Sequence, residues 1–206
     1  MDFKEFKNKE RLMSSAIKEF GDKNFQNASL NNILKNAQIS KGTFYYNFKT
    51  KEELYFYLIE KIAQEKSQYF ENYYNENKID YSDIFSVFEI PAKIGLRFAS
   101  EYPEYIKFGQ NVVNEKDPRI NQKIQKKLSS ATNQFIKPII KASIEKNIIR
   151  SDIPEDFINE LMSFMISNYY KIIEENIDFN DKNYYEKAIK KFNYLIDILK
   201  NGLLKK

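Results

Sequence analysis

Two short apolar runs separated by about three residues constrain this fold more than any other feature of the chain. In the first, Leu30, Ile33, Leu34 and Ala37 recur at three- and four-residue steps, which puts them on one face of a helix over 29–36. Ser29 stands just ahead of them, where an N-cap oxygen is wanted. After Gln38-Ile39, Ser40 opens a second helix over 40–46 whose inward face is Phe44 and then Phe48. Helices this short do not hold by themselves in water. Two of them joined by so tight a turn form a helix-turn-helix, and they need a third apolar surface. The run 6–20 supplies it. Leu12, Ala16 and Phe20 recur every fourth residue with Met13 and Ile17 beside them, and Gly21-Asp22-Lys23-Asn24 is expected to break the helix.

The rest of the chain repeats the helical pattern at greater length. Thr50-Lys51-Glu52-Glu53 is a capping box, a hydroxyl followed three residues on by a carboxylate. It opens a helix over 51–76 with Leu54, Leu58, Ile62 and Tyr69 on one side. Further helices are expected over 82–100, started by Ser82 and bent at Pro91; over 103–114, with Pro103 in its first turn; over 117–147, kinked at Pro138; over 154–175, from Pro154; and over 182–203. Five glycines and five prolines are too few for the turns of a β-sandwich. The expectation is an all-α protein of about nine helices, with a three-helix domain over 1–50 and a larger helical domain over 51–206.

Composition removes whole classes of chemistry. The chain has neither cysteine nor histidine, which removes most transition-metal and zinc sites, thiol nucleophiles and histidine-based triads. Carboxylate pairs such as Glu174-Glu175 lie in no catalytic context. The reading is a non-enzyme that needs no metal and no cofactor. Met1 to Lys7 carries charges with no apolar run behind them, and no stretch approaches the ~18 apolar residues of a membrane span. A soluble cytoplasmic protein is expected, with no membrane partner. The net charge is +4, and residues 1–51 hold ten basic side chains against five acidic ones. Such a basic head suits a polyanion; a lysine-rich solvated surface would look the same.

The last two helices are apolar over more than one stripe, whereas a surface helix usually buries one. Either they go deep into the core or they meet another chain. A homodimer is the favoured reading, with Phe157, Leu161, Met165, Tyr169, Ile189, Phe192, Ile196 and Leu199 as interface candidates.

The run Ala16 to Phe20, Asn24-Phe25, Ala28-Ser29-Leu30, Ile33, Ala37, Ile39 to Phe48 and Lys51 to Leu54 resembles the TetR family of bacterial regulators. The likeness covers about 40 residues. Three positions depart from it: the family usually has Gly where Asn24 stands, and often Gly where Gln38 and Ala where Leu34 stand. Asn24 is expected to take a left-handed backbone, and Gln38 either to carry some strain or to imply a slightly different turn.

The resemblance implies a dimer on double-stranded operator DNA. Lys41, Gly42 and Thr43 become base-contact candidates at the tip of a helix in the major groove. Asn31 could pair with adenine or be a plain solvated residue. Tyr45 and Tyr46 offer hydroxyls to phosphates, although Tyr45 also suits the core. Asn47, Ser29 and Lys51 complete the candidate face; Lys51, at a helix N-terminus, suits a phosphate. Lys4, Lys7 and Lys9 suit a basic arm. The middle helices would surround a small apolar or aromatic effector, with Phe85, Phe88, Phe98, Tyr105, Phe108, Phe135 and Phe164 as pocket candidates, each equally at home in an ordinary core. A helical scaffold without DNA binding remains the alternative.

Overall fold

The computed structural model describes residues 8–76, 86–174 and 183–203. They form nine helices: α1 Lys9–Asp22, α2 Leu30–Ala37, α3 Lys41–Asn47, α4 Lys51–Glu76, α5 Ser86–Glu101, α6 Pro103–Val113, α7 Pro118–Glu145, α8 Glu155–Glu174 and α9 Tyr184–Leu203. The all-α expectation holds. Ser82, Lys4 and Lys7 lie outside the described residues. Both α5 and α7 continue through the prolines at which a bend was expected.

Local chemistry accounts for the short helices. Ser29 Oγ accepts the Asn32 N–H at 3.3 Å, and Ser40 Oγ accepts the Thr43 N–H at 3.1 Å. At the start of α4, Thr50 Oγ1 accepts the Glu53 N–H at 3.0 Å, and the Glu53 carboxylate accepts the Lys49 N–H at 2.6 Å. The box is therefore reciprocal, with its carboxylate reaching one residue beyond the capping threonine.

Two expectations about turns change. α1 does not break at Gly21 but runs through it to Asp22. A Cβ on Gly21 would lie 3.3 Å from the Phe108 backbone nitrogen of α6. The glycine is there so that two helix backbones can approach, not to end one. Asn24 is absent from the left-handed residues, which are Asn8, Gln38 and Asn147. Its side chain instead accepts the Asn27 N–H at 3.0 Å, a local turn that needs no positive φ. Gln38 does sit left-handed, at φ 57° and ψ 44°, as α2 ends.

The residues pack as two units. The first comprises residues up to Tyr69 together with Tyr102–Ile124, and the second Phe70–Glu101 with Gln125–Lys206. In the first, Leu12, Ala16, Phe20, Ile33, Ala37, Phe44 and Phe48 are buried with Leu54, Tyr55 and Leu58 of α4, Phe108 and Val112 of α6, and Ile120 and Ile124 of α7. Tyr55 is its centre. The rings of Phe20, Phe25, Phe108 and Phe56 stand 4.9, 5.0, 5.5 and 5.9 Å from it. In the second unit, α5 and α8 pack on α9, around Ala92, Leu96, Ile140, Ile149, Ile158, Met162, Ala188, Phe192, Ile196 and Leu199.

Candidate nucleic-acid interface

α3 is seven residues long, and its one buried side chain is Phe44. Phe44 stacks on Phe48 at 5.8 Å and anchors the helix to the first unit's core. The positions around it face solvent. Lys41, Gly42 and Thr43 are exposed at the N-terminal tip, as is Asn31 on α2. Tyr45 is 54% and Tyr46 75% exposed. Tyr45 rests an edge on Phe44 at 5.2 Å, so one ring both packs and points outward. Asn47 is half-buried and donates to the Thr43 carbonyl at 2.8 Å. The Thr43 hydroxyl shares a hydrogen bond with Ser40 at 2.9 Å.

Gly42 stands apart from this arrangement. A Cβ there would meet only Ser40 Oγ, at 3.8 Å. Its φ is not positive. Neither crowding nor backbone geometry within the chain asks for glycine, although glycine inside a helix costs about 1 kcal/mol relative to alanine.

Lys51 does something other than face outward. Its Nζ donates to the Phe25 carbonyl at 2.7 Å and the Ala28 carbonyl at 2.8 Å, lies 3.4 Å from the Gln26 carbonyl, and sits 4.7 Å over the Phe25 ring. Burial holds its pKa below the ordinary lysine value, with Glu115 and then Glu19 pulling the other way. At this expected phosphate ligand the ammonium is turned into the loop between α1 and α2. Ser29 is half-buried and its N–H is also taken, by Glu19 at 2.9 Å. Lys23 above all, and then that N–H, holds the Glu19 carboxyl below the usual carboxylate range. Sequence reasoning gave Glu19 and Glu115 no role and took Asp117 only as the start of a helix; all three are buried charged residues of this region. Asp117 had a local signal, since it precedes Pro118 and caps α7 through the Arg119 N–H at 2.9 Å.

The positions expected to line an effector pocket divide between the two units. Tyr105 and Phe108 belong to the first unit, Phe98 and Phe164 to the second. Phe108 is core, with Phe20 and Tyr55 as ring neighbours, and the Tyr105 hydroxyl donates to Glu65 at 2.8 Å. Phe98 is buried and Phe164 is 66% exposed. Phe85, and the side chains of Phe88 and Phe135, lie outside the described residues.

The interface candidates also divide. Phe192, Ile196 and Leu199 are buried in the second unit's own core, so they cannot form an outer face. Phe157 is 56% exposed; Leu161, Met165 and Ile189 are half-buried; and the side chain of Tyr169 lies outside the described residues. The apolar excess surfaces elsewhere: Phe157 and Phe164 two turns apart on α8, and Tyr194 and Ile198 one turn apart on α9.

Residues 12–58 match the family model of bacterial regulatory proteins, tetR family. The chain is 25% identical over 164 residues to IcaR of Staphylococcus epidermidis, the negative transcriptional regulator of a biofilm operon, covering 79% of this chain and 83% of that protein. It is 31% identical over 95 residues to an HTH-type transcriptional regulator of Staphylococcus aureus, a match to 46% of this chain and 49% of that one. Its fold is similar to a TetR family regulator from Chloroflexus aurantiacus, with TM-score 0.71, 18% identity and coverage of 97% and 94%. It is also similar to FadR of Bacillus subtilis in complex with stearoyl-CoA, with TM-score 0.69, 15% identity and coverage of 94% and 98%. A third is CprB of Streptomyces coelicolor in complex with its operator, with TM-score 0.66, 13% identity and coverage of 95% and 89%. The matched helix-turn-helix and the shared all-helical fold lead to one identification: this chain belongs to the TetR family of DNA-binding bacterial transcriptional regulators.

Proposed function

We propose that this regulator is a cytoplasmic repressor that holds operator DNA as a homodimer and lets go when a small apolar or aromatic effector binds. Residues 1–50 are its reading head, and residues 51–206 serve effector and dimer. In this reading α3 enters the major groove tip first. Lys41 donates to guanine O6 or N7, the Thr43 methyl touches a thymine, and Asn31 approaches from α2. Tyr45, Tyr46 and Asn47 fix the register on phosphates, and Ser29 borders the backbone. The dimer contact draws on Phe157 and Phe164 of α8 and Tyr194 and Ile198 of α9, flanked by Leu161, Met165 and Ile189. Two half-sites about one helical turn apart follow from a two-fold dimer. The negative regulation named for IcaR and the acyl-CoA held by FadR support the choice of repressor and of an apolar effector.

The observation that carries the reading is Gly42. It weakens an already short helix, nothing among the described residues requires it, and it stands at an exposed tip. A surface that must come within reach of base edges is a sufficient reason for a missing side chain. The test is selection of duplexes from a random library, followed by titration of the selected duplex. Wild type is expected to enrich one sequence, with affinity falling roughly 10³-fold between 50 and 200 mM salt. Gly42→Leu is expected to keep the helical circular dichroism and lose the duplex. Undiminished binding by Gly42→Leu would remove α3 from the groove.

A further inference from the structure

The loop between α1 and α2 is held by side chains from three directions. From α4 comes Lys51, on the carbonyls of Phe25 and Ala28. From the turn between α6 and α7 comes Glu115, only 4% exposed, whose Oε2 accepts the Phe25 N–H at 3.2 Å. Its Oε1 accepts the Lys116 and Asp117 N–H groups, each at 2.9 Å. From α1 comes Glu19, on the Ser29 N–H. Asp117 reaches Gln26 Nε2 at 3.5 Å, and Asn24 closes the loop on itself through Asn27. These ties engage the N–H groups of Phe25, Asn27 and Ser29 and the carbonyls of Phe25, Gln26 and Ala28. The loop ends at Ser29, the N-cap of the helix-turn-helix.

We propose that Lys51 is a positioning residue for operator reading, not a phosphate ligand, and that Glu115 sets the same loop from the α6–α7 turn. An ammonium has three donors. Two make short bonds to loop carbonyls, and the third faces the Gln26 carbonyl, so a phosphate could be reached only by giving up the loop. Its charge is balanced at home by Glu19 and Glu115, the two carboxylates that act on it. The loop in turn aims α2, and α2 carries α3 through the tight turn at Gln38. A shift of the α6–α7 turn moves Glu115, and with it the entry to the helix-turn-helix.

This rests on the DNA-binding reading, and the test separates the two. The probe is the duplex enriched by wild type from a random library, titrated across a salt series. A phosphate ligand releases counterions, so its loss lowers the slope of log K against log salt by about one unit; a positioning residue leaves the slope alone. Lys51→Met is expected to lower affinity by about tenfold or more with the wild-type slope. Lys51→Arg keeps the charge and the fold, so it covers the case in which Lys51→Met does not fold. A phosphate ligand tolerates arginine. A loop pin does not, because a planar guanidinium cannot place three donors where a tetrahedral ammonium does, and about tenfold is expected to be lost here too. Glu115→Gln is expected to weaken binding at unchanged slope, and by less in a Lys51→Arg background than alone. A slope reduced by one in Lys51→Met, or wild-type affinity in Lys51→Arg, overturns the proposal. Failure of wild type to enrich any duplex would sink the DNA-binding reading and this inference with it.

Discussion

The two packing units solve the same problem with different materials. The first is closed on itself. Its largest buried side chains are the rings of Tyr55, Phe20, Phe44, Phe48 and Phe108, each at 0 or 1% exposure; Phe20 and Phe108 meet Tyr55 edge to face, and Phe44 stacks on Phe48. Around them, buried carboxylates and one lysine satisfy the loop that leads into α2. The core cluster of the second is mainly aliphatic around Phe192, and Phe98 is a further buried ring of that unit. That unit leaves Phe157, Phe164, Tyr194 and Ile198 more than half exposed. A reading head must hold its tip to within a fraction of an ångström of the bases, which favours a rigid interlocked core. A helix pair with bare aromatic rings is unfinished alone, which favours a second copy.

The contrast can be broken most forcefully at Phe20. Truncating a fully buried ring in a packed core costs about 3–5 kcal/mol, and Phe20 touches Phe25, Tyr55 and Phe108 together. Phe20→Ala is expected to lower the free energy of unfolding by that amount and to abolish binding of the duplex at ordinary temperature. A loss under 1 kcal/mol in a urea titration would mean that the first unit is not the closed core described above.

A smaller effect, and one of a different kind, is expected at α8. Phe157→Ser and Phe164→Ser remove rings that the chain itself leaves exposed. Folding of the protomer should change by under about 0.5 kcal/mol. Association should suffer instead: each change is expected to weaken the dimer by about ten- to a hundredfold, the loss typical of an aromatic anchor in an interface. Sedimentation across a dilution series reads this directly. If both variants stay as dimeric as wild type while one of them unfolds more easily, the two units do not differ in the way proposed.

How far these features can be read from sequence depends on their range along the chain. The caps at Ser29, Ser40 and Thr50 were legible because donor and acceptor are three residues apart. The three short helices were legible because their apolar spacing is local. The Lys51, Glu19 and Glu115 ties were not: Glu115 bonds a loop 90 residues earlier in the chain, and a charged residue gives no local sign that it is buried. Lysine at a helix N-terminus reads naturally as a phosphate ligand until its three carbonyl partners are seen. Gly21 misled for a related reason. A glycine near a helix end looks like a stop, and only the approach of α6 to its Cα shows why it lies inside the helix. In the second unit, the apolar excess of the last two helices was visible, but not which stripe each turns inward. Phe192 and Ile196 face the core while Tyr194 and Ile198 face out, a choice made by α5 and α8 packing on α9.

The smallest effect concerns Gln38, where the rigid unit contains a strained residue. A non-glycine side chain in the left-handed region costs about 1–2 kcal/mol, and glycine there gives back about 0.5–1 kcal/mol through its freer unfolded chain. Among the described residues the Gln38 side chain has one partner, Arg11, whose Nη1 donates to it at 2.9 Å on an exposed surface. Such a bond returns only part of the strain. Gln38→Gly is therefore expected to stabilise the protein by about 0.5–1 kcal/mol, a rise in Tm of roughly 1–4 °C for a chain of this size. Arg11→Ala separates the two contributions. If Gln38→Gly destabilises and Arg11→Ala destabilises equally, the exposed bond outweighs the backbone. The turn would then be held by a side-chain tie, as the loop before α2 is, and not by backbone preference.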